Sequence, residues 1–322
     1  MPENNTTNVI GDLTPFINEI QASKTYKPYR KPIASCRLRP CIKKNARNTW
    51  SSKTWNGLTN FTGNNIWTDG DDIYYSYGSS SQYVLNKSTS TWSTKSWSGL
   101  SSFYGESIWT DGEYIYYSRY SSGSGTSTHY VLDKSTSTWT TKSWSRLTTF
   151  DGRCIWTDGE NVYCSNNSSV YGTTGNYVLD KSTSTWTAKT WSGYTDFVGT
   201  DFWTDGENVY YSYGSTQYVL DKDTSTWSTK SWSGLTSFHG EDVWTAGDNI
   251  YWSNDSHFVL NKSTSTWSTK TWNGLTNFDG DDIWTDGEDI YCSRYNSSTY
   301  TDEHYVLQDR TKTTTNIPMC QL

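Results

Sequence analysis

Short runs of apolar and aromatic residues alternate with short polar stretches along the chain, and the same order returns six times. In the second copy the runs lie at Glu106 to Thr110, Glu113 to Ser118, His129 to Asp133 and Thr138 to Trp144. Runs of this length, bounded by Gly, Asp and Ser, predict β-strands. The pair Asp111-Gly112 predicts a two-residue hairpin, since both residues tolerate positive φ. Each copy therefore predicts one sheet of four antiparallel strands.

Tryptophan marks the period of the repeat. One series has spacings of 42, 47, 47, 41 and 40 residues: Trp67, Trp109, Trp156, Trp203, Trp244 and Trp284. Two further series lie five residues apart: Trp50, Trp92, Trp139, Trp186, Trp227 and Trp267, then Trp55, Trp97, Trp144, Trp191, Trp232 and Trp272. Only Trp252 stands outside the pattern. Because one such sheet cannot bury both its faces alone, the period predicts an all-β fold, a six-bladed β-propeller of four-stranded antiparallel blades.

The two ends of the repeat predict how the ring closes. Residues 49–55 form a fourth strand with no first three strands before it, and the last copy stops after its third strand, at Leu307. We expect residues 49–55 to complete the last blade. The alternative is that Thr313 to Ile317 fills the same place.

The residues between the third and fourth strands point to a subfamily. The segment Leu132-Asp133-Lys134-Ser135-Thr136-Ser137-Thr138-Trp139 resembles the signature of kelch repeats, and Ile115-Tyr116-Tyr117 resembles their second strand. The Gly-His and Trp-Asp pairs of WD repeats do not occur. The resemblance to a kelch-like repeat propeller covers about residues 48 to 310, and it implies a fold more than a function.

Composition indicates what the core is made of and in which compartment the chain is made. Hydrophobic residues make up 33% and aromatic residues 16%, so the core is expected to be aromatic. The six cysteines lack metal-ligand spacing, which leads us to expect structural thiols and neither metal nor cofactor. Cys36 and Cys41 could close a small loop in an oxidising compartment. Without a secretory signal or a membrane span, we expect synthesis in the cytoplasm and no membrane insertion.

Residues 1–47 differ sharply from the rest. Nine basic and no acidic residues lie between Lys24 and Arg47, so this segment nets +6 and the remainder −13. We predict an extended or disordered N-terminal tail, followed by the propeller over 48–322. Docking to another protein is the favoured role, ahead of packing on the acidic ring and of binding nucleic acid. The candidate docking residues are Arg30, Lys31, Arg37, Arg39, Lys43, Lys44 and Arg47.

One face of the propeller is expected to carry an acidic rim, made by the turns between first and second strands. Its members are Asp69, Asp111, Asp158, Asp205 and Asp286, with Asp71, Glu113, Glu160, Glu207, Asp248 and Glu288. Two interpretations stay open. The carboxylates make turns and are solvated, or they form a collar that attracts a basic partner or a cation.

The opposite face carries the variation in length. Loops between second and third strands are predicted to be long at Arg119 to Thr128, Asn166 to Gly175 and Arg294 to Glu303. Long loops on a rigid scaffold commonly carry specificity, although tolerated insertion explains them as well. The candidate residues for a ligand or partner on this face are Tyr104, Tyr120, His129, Tyr171, Tyr194, His239, Tyr295, Tyr300 and His304. A repeated Leu and Phe before each first strand are expected to be buried between blades.

Enzymatic motifs are missing. The chain has no nucleophile elbow, P-loop, HExxH or dinucleotide glycine pattern, and its carboxylate pairs recur in nearly every copy. Arg153 is the only arginine in any predicted first strand, so the arginine triad of a sialidase has no counterpart. We therefore expect a non-enzymatic structural or binding protein, anchored by its tail to a larger assembly such as a virion or phage appendage. The alternatives are a multivalent lectin and an intracellular kelch-type scaffold.

Overall fold

The computed structural model describes residues 49–78, 82–166, 172, 175–246 and 249–307. These residues form six separate sheets, each of four antiparallel strands. The six sheets are the blades of a propeller, as the repeat predicts.

The strands fall into four series, taken from the axis outwards. The first strands are β2 (Ile66–Thr68), β6 (Ile108–Thr110), β10 (Ile155–Thr157), β14 (Phe202–Thr204), β18 (Val243–Ala246) and β22 (Ile283–Thr285). The second strands are β3 (Ile73–Ser76), β7 (Ile115–Ser121), β11 (Val162–Asn166), β15 (Val209–Tyr213), β19 (Asn249–Asn254) and β23 (Ile290–Asn296). The third strands are β4 (Gln82–Asn86), β8 (Thr126–Asp133), β12 (Gly175–Asp180), β16 (Thr216–Asp221), β20 (Ser256–Asn261) and β24 (Thr301–Leu307). The outer strands are β5 (Thr91–Lys95), β9 (Thr138–Thr141), β13 (Thr185–Ala188), β17 (Thr226–Thr229), β21 (Thr266–Thr269) and β1 (Trp50–Ser52).

The first strand of the described chain closes the ring. β1 pairs antiparallel with β24, with Trp50 opposite Leu307 and Ser52 opposite Tyr305. The expectation that residues 49–55 complete the last blade is confirmed, although only Trp50–Ser52 is paired. The sixth blade thus joins both ends of the repeat, which ties the last blade to the first.

Tryptophan fills the space between neighbouring blades. Between blades one and two, Trp67 lies 5.7 Å from Trp97 and 6.2 Å from Trp139, measured between ring centroids. Phe103, the repeated Phe, is fully buried beside them. Trp252 takes the place that Tyr117 has in the second blade, so the odd tryptophan also lies in the core. Since each of the six interfaces has its own cluster of this kind, the core is a circle of aromatic joints.

Each first tryptophan is fixed in orientation by the second strand. The indole of Trp109 stacks on Tyr116 at 4.5 Å and donates a 2.9 Å hydrogen bond from Nε1 to Ser118 Oγ. The same bond, 2.7–2.9 Å long, recurs in every blade. A buried indole N–H needs an acceptor, which explains why every second strand has a serine two residues after its tyrosine.

Two predictions about local structure are wrong. The segment before β6 is not strand: Gly105–Ser107 forms a 3₁₀ turn, and Arg153 likewise lies in a 3₁₀ turn rather than in a first strand. The hairpin at Asp111 is a four-residue loop, since Thr110 pairs with Ile115. Only its glycine, Gly112, has positive φ, because the aspartate binds the loop through its side chain instead.

Two of the predicted long loops are strands. β7 and β8 continue past the blade edge, with Arg119 opposite Thr128 and Tyr120 opposite Ser127. β23 and β24 do the same, with Tyr295 opposite Asp302. The Ser-rich composition suggested loop, but the paired backbone satisfies its own hydrogen bonds and extends the hairpins. Part of the third predicted loop, 167–171 and 173–174, lies outside the described residues.

Candidate functional site

The face that carries the turns between first and second strands, here called the turn face, is built alike in blade after blade. In the second blade, Asp111 Oδ1 accepts hydrogen bonds from the backbone N–H groups of Glu113 and Tyr114, at 2.9 and 2.8 Å. Its Oδ2 accepts a 3.1 Å bond from the Tyr116 hydroxyl. The first aspartates of the rim are therefore turn-making residues, which supports the structural interpretation of the rim.

Lysines fasten neighbouring blades on the turn face. The Lys134 ammonium of blade two donates to the backbone carbonyl of Asp69 in blade one at 2.7 Å, and lies 2.8 Å from the Asp71 carboxylate. The same lysine-to-carbonyl bond joins four more neighbouring pairs: Lys87 to Asp286, Lys181 to Asp111, Lys222 to Asp158 and Lys262 to Asp205. Because the turn aspartates and these lysines are used within the protein, this part of the turn face is structural.

The other face is organised around six 3₁₀ turns that precede the first strands. They are Gly63–Asn65, Gly105–Ser107, Gly152–Cys154, Gly199–Asp201, Gly240–Asp242 and Gly280–Asp282, here called the axial ring. Each turn contacts the next and the last contacts the first, so they close a circle around the axis. A Cβ on Gly152 would lie 2.3 Å from the Ser107 carbonyl oxygen, so only glycine permits this approach.

The side chains of the axial ring differ from blade to blade, and acids gather on one side. Asp201 and Asp242 are almost fully buried, at 2% and 6% exposure. Burial, with the nearby Glu241 and Asp242 carboxylates, raises the pKa of Asp201 to about 8. Burial also raises the pKa of Asp242 to about 7, although the Asn254 amide donates to it at 3.3 Å. Buried carboxyls with raised pKa values often mark functional sites.

An imidazole lies beside this acidic side. His239 Nδ1 is 3.5 Å from Asp201 Oδ1, and the histidine side chain is 42% exposed. Its other neighbour is the exposed Tyr213 ring, edge-on at 4.8 Å between centroids. The ligand atoms of Asp201, His239 and Glu241 all lie within 4.8 Å of one another. Neighbouring turns of the axial ring therefore bring one histidine and two carboxylates together.

The opposite side of the ring is neutralised by an arginine. Arg153 Nε donates to Asp151 Oδ1 at 3.0 Å, and its Nη1 lies 3.3 Å from Glu106 Oε1. Asp151 also accepts a 3.1 Å bond from the backbone N–H of Tyr120. The axial ring is thus electrostatically lopsided, with paired charges over blades two and three and an acidic cluster over blades four to six.

Aromatic residues surround the axial ring on the same face. The Tyr77 ring, 60% exposed, meets Tyr104 edge-on at 5.4 Å, and the Arg119 guanidinium lies 4.1 Å from the Tyr104 ring centre. Tyr213 and Tyr295 are about as exposed as Tyr77. Tyrosines of this kind offer large contact areas at a low entropic cost. We call this surface, with the axial ring, the ring face.

The predicted contact residues divide into two groups. Tyr104, His239, Tyr295 and Tyr300 are accessible, and Tyr300 is the most exposed at 80%. Tyr194 instead takes the position of the repeated Leu and stacks on Tyr218 at 4.3 Å. The half-buried Tyr120 packs against the backbone of Gly172. The His239 side chain lies 3.5 Å from Asp201 of the axial ring, and the Tyr104 ring contacts the Arg119 guanidinium.

His129 lies in the third strand predicted to begin with it, and His304 lies at the corresponding position of β24; both pack between blades rather than facing a ligand. The ring of His129 stacks on Phe150 at 4.4 Å, and its Nε2 lies 2.9 Å from the Thr148 carbonyl oxygen. With Nε2 as donor, Nδ1 accepts from Ser118 Oγ at 2.9 Å, and Ser118 accepts from Trp109. His304 repeats this arrangement with Ser293 and Thr59. These two histidines are structural, and burial lowers their pKa values.

Several predicted residues lie outside the described part of the chain. These are Tyr171, Asp248 and the tail residues Arg30, Lys31, Arg37, Arg39, Lys43, Lys44 and Arg47. Conversely, the ring face contains residues that the sequence did not predict as contacts: the exposed Tyr77 and Tyr213, the half-buried Arg153 and Glu241, and the buried Asp201 and Asp242. For the four charged residues the signal is the pair of positions after each ring glycine, which change while the flanking Phe and Trp do not; Tyr77 and Tyr213 instead follow the repeated serine of the second strand.

The cysteines add one cross-link near the ring. Cys154, the last residue of its 3₁₀ turn, is joined to Cys164 of β11, with 5.1 Å between their Cα atoms. The expectation of structural thiols is corrected for this pair. Cys292, the counterpart of Cys164 in the sixth blade, is a buried free thiol because Asp282 stands where Cys154 would be.

Comparison with known proteins adds no relationship to these findings. No protein-family model matches the chain, and no curated protein matches it. Across the described residues, no helix has the length and apolar character needed to cross a membrane. The class of the protein is therefore defined by its fold alone, a six-bladed β-propeller.

Proposed function

We propose that this chain is a non-enzymatic binding propeller that engages a partner with its ring face. The tail, residues 1–47, attaches it to a larger assembly, and the setting we propose is a virion or phage appendage. We also propose that the repeat is of the kelch-like type.

The observation that carries this proposal is the difference between the two faces. On the turn face, the same aspartate, tyrosine and lysine contacts recur in most blades and consume the polar groups. On the ring face, equivalent positions at the ends of second strands differ: Tyr77, Arg119, Asn166, Tyr213, Asn254 and Arg294. A stabilising face needs uniform contacts, whereas one asymmetric partner needs a varied surface.

A catalytic role finds little support in the side chains of the described residues. Ser118 and His129 are within hydrogen-bonding distance, as a nucleophile and base would be. However, Ser118 is fully buried, and the far nitrogen of the histidine faces a carbonyl oxygen instead of an orienting carboxylate. Substrate could not reach this pair, so we assign it to packing.

The second candidate is carbohydrate binding, and the exposed tyrosines favour it. Tyr77 and Tyr213 present half or more of their surface beside polar groups of the ring face. A lectin with six equal sugar sites is disfavoured because these tyrosines do not recur in each blade. A single composite site is the form of lectin that fits.

The test is sedimentation of native particles from the source, followed with the full chain and with a variant lacking residues 1–47. Stoichiometric co-migration of the full chain with a megadalton assembly, lost on deletion, is expected. The ring face is tested by Tyr77→Ser and Tyr213→Ser, with Tyr114→Ser as a control, since Tyr114 is equally exposed (48%) on the turn face. Binding to the partner of the ring face, or to arrayed glycans, should fall with Tyr77→Ser and Tyr213→Ser but not with Tyr114→Ser.

Two results would count against the proposal. A full chain that sediments as a free monomer in native material refutes the anchored assembly. Equal effects of Tyr114→Ser and Tyr213→Ser on binding would refute the assignment of the ring face. Glycan binding by a chain that joins no assembly would favour the second candidate, a lectin.

A further inference from the structure

The axial ring holds a cluster that the repeat itself does not require. Asp201 ends the 3₁₀ turn leading to blade four, and His239 and Glu241 lie at the turn leading to blade five. In the first blade the corresponding residues are Asn65, Thr62 and Asn64. Those neutral residues support the same turn, so the charged set in blades four and five serves something other than the fold.

Asp201 is the central observation. Its side chain is 2% exposed, and among the described residues no group donates a hydrogen bond to its carboxylate; the His239 nitrogen is its one ion-pair partner, at 3.5 Å. A buried carboxylate without donors is costly unless a cation compensates it. A neutral imidazole has one N–H donor and one lone pair but no positive charge, so neutral His239 leaves the negative charge of the Asp201 carboxylate uncompensated.

The spacing of the three side chains suits a small cation. Four ligands around Zn²⁺ at 2.0–2.2 Å lie about 3.3 Å apart from one another. The Asp201 and His239 ligand atoms are already 3.5 Å apart, and all three pairs lie within 4.8 Å. A shift of the half-buried Glu241 carboxylate by up to about 1.5 Å would bring all three ligand atoms to this spacing.

We propose that Asp201, His239 and Glu241 form a binding site for one divalent transition-metal ion, with Zn²⁺ as the ion that fits best. One imidazole nitrogen and two carboxylate oxygens are ligands that Zn²⁺ accepts in four-coordinate sites. Ca²⁺ takes six to eight oxygen ligands, and Mg²⁺ keeps most of its water. Three protein ligands leave a fourth position, which an oxygen of water or of a bound partner occupies.

Further negative charge supports a cation at this place. Asp242 follows Glu241 directly, and Asp281 and Asp279 of the next turn act on it electrostatically. Asp242 itself is held by the Asn254 amide, so it contributes charge rather than a ligand atom. The arginine of the ring lies on the other side, bound to Asp151 and Glu106. The metal would therefore sit where the ring face is most negative.

The sequence shows no metal motif because the ligands come from two neighbouring blades. His239 follows Asp201 after nearly one whole repeat, and no short spacing joins them. Only closure of the axial ring brings them together. This inference goes beyond the proposed function, and it holds whether the partner is a protein or a glycan.

The test is equilibrium dialysis of the full chain against Zn²⁺, with the bound metal measured by mass spectrometry. One Zn²⁺ per chain is expected. Asp201→Asn, His239→Thr or Glu241→Asn should each lower the affinity at least about tenfold, because even the loss of a residue that only orients a metal ligand has an effect of this size. Each replacement is the residue of the first blade, so folding is retained, and circular dichroism checks this. A thermal shift on adding Zn²⁺ should vanish in the same variants.

Three controls separate this site from others. His257→Gln removes a buried histidine where two other blades have glutamine, and Glu160→Gln removes one acidic charge from the turn face. A double Cys36→Ser and Cys41→Ser variant removes thiols of the tail. All three should keep the bound Zn²⁺.

The outcomes decide the proposal. Zinc that is absent, or that persists in Asp201→Asn and His239→Thr, overturns it. Loss with the cysteine variant alone shows binding by thiols and also overturns it. Ca²⁺ bound as tightly as Zn²⁺, and unaffected by His239→Thr, refutes the nitrogen ligand. None of these results touches the sedimentation test, so the two proposals fail separately.

Discussion

Substitution of Ser118 by alanine tests whether the buried histidines carry structural hydrogen bonds. Ser118 Oγ accepts from the Trp109 indole at 2.9 Å and bonds His129 Nδ1 at 2.9 Å. Alanine removes the hydroxyl that bonds both the Trp109 indole and His129. Each buried group left without a partner costs about 1–3 kcal/mol. The expected loss in the free energy of unfolding is therefore about 2–6 kcal/mol.

The fourth blade provides the matched control. Ser212 is equally buried and accepts from Trp203 Nε1 at 2.7 Å, but the third strand there carries Gln217, which donates to the Gly214 carbonyl instead. Ser212→Ala thus leaves one group unpaired and should cost about 1–3 kcal/mol. The small cavity is the same in both variants, so the difference isolates the bond to His129.

Urea unfolding at pH 8 is the assay, because burial lowers the pKa of His129 and keeps it neutral there. Unchanged slopes with shifted midpoints would show that stability alone changed. In a His129→Gln background, the cost of Ser118→Ala should fall to that of Ser212→Ala. A difference between the two serine variants below about 0.5 kcal/mol, the usual error of additivity, would refute the reasoning.

Three further predictions concern pH, the axial ring and the cross-link. Burial lowers the pKa values of three histidines at one repeat position: His129, His257 and His304. The unfolded chain therefore protonates these imidazoles first, so their contribution to stability is full above about pH 6.5 and is lost below it; urea midpoints of a triple glutamine variant should depend less on pH in this acid range. Gly152→Ala, whose Cβ would meet a carbonyl at 2.3 Å, should prevent ring closure, whereas Gly159→Ala, with open space, should cost about 1–2 kcal/mol by thermal unfolding. Protein isolated without reductant should carry the Cys154–Cys164 bond, seen as a mass increase of about 2 Da on reduction, and its removal should cost roughly 3 kcal/mol.

The repeat made the architecture predictable because each pattern is written six times. The tryptophans, the Asp-Gly turns and the strand supplied by residues 49–55 all follow from spacing along the chain. Contacts between blades are not marked by any sequence motif, because they join residues that are distant along the chain. The bonds of His129 to Thr148 and of Lys134 to Asp69 are of this kind, and the stacking of His129 on Phe150 of the next connection shows that this histidine is structural.

The candidate site was less predictable for the same reason. Tyr104 and His239 were identified because they vary at repeated positions, but the acids beside them looked like ordinary members of an acidic chain. Only the 3₁₀ turns show that Asp201 is buried and that Glu241 lies next to it. The extended hairpins at Tyr120 and Tyr295 were hidden by a composition typical of loops.

The departures from the repeat concentrate where the candidate site lies. A ring of six identical blades can offer only six identical sites, so a single site requires broken symmetry. Blade five has Ala246 where the other five blades have the turn aspartate, and it has Trp252 where the others have Tyr or Cys. The same blade carries His239 and Glu241 at its entrance. The irregular blade and the irregular charge therefore coincide, which identifies the junction of blades four and five as the place where this propeller differs from its own repeat.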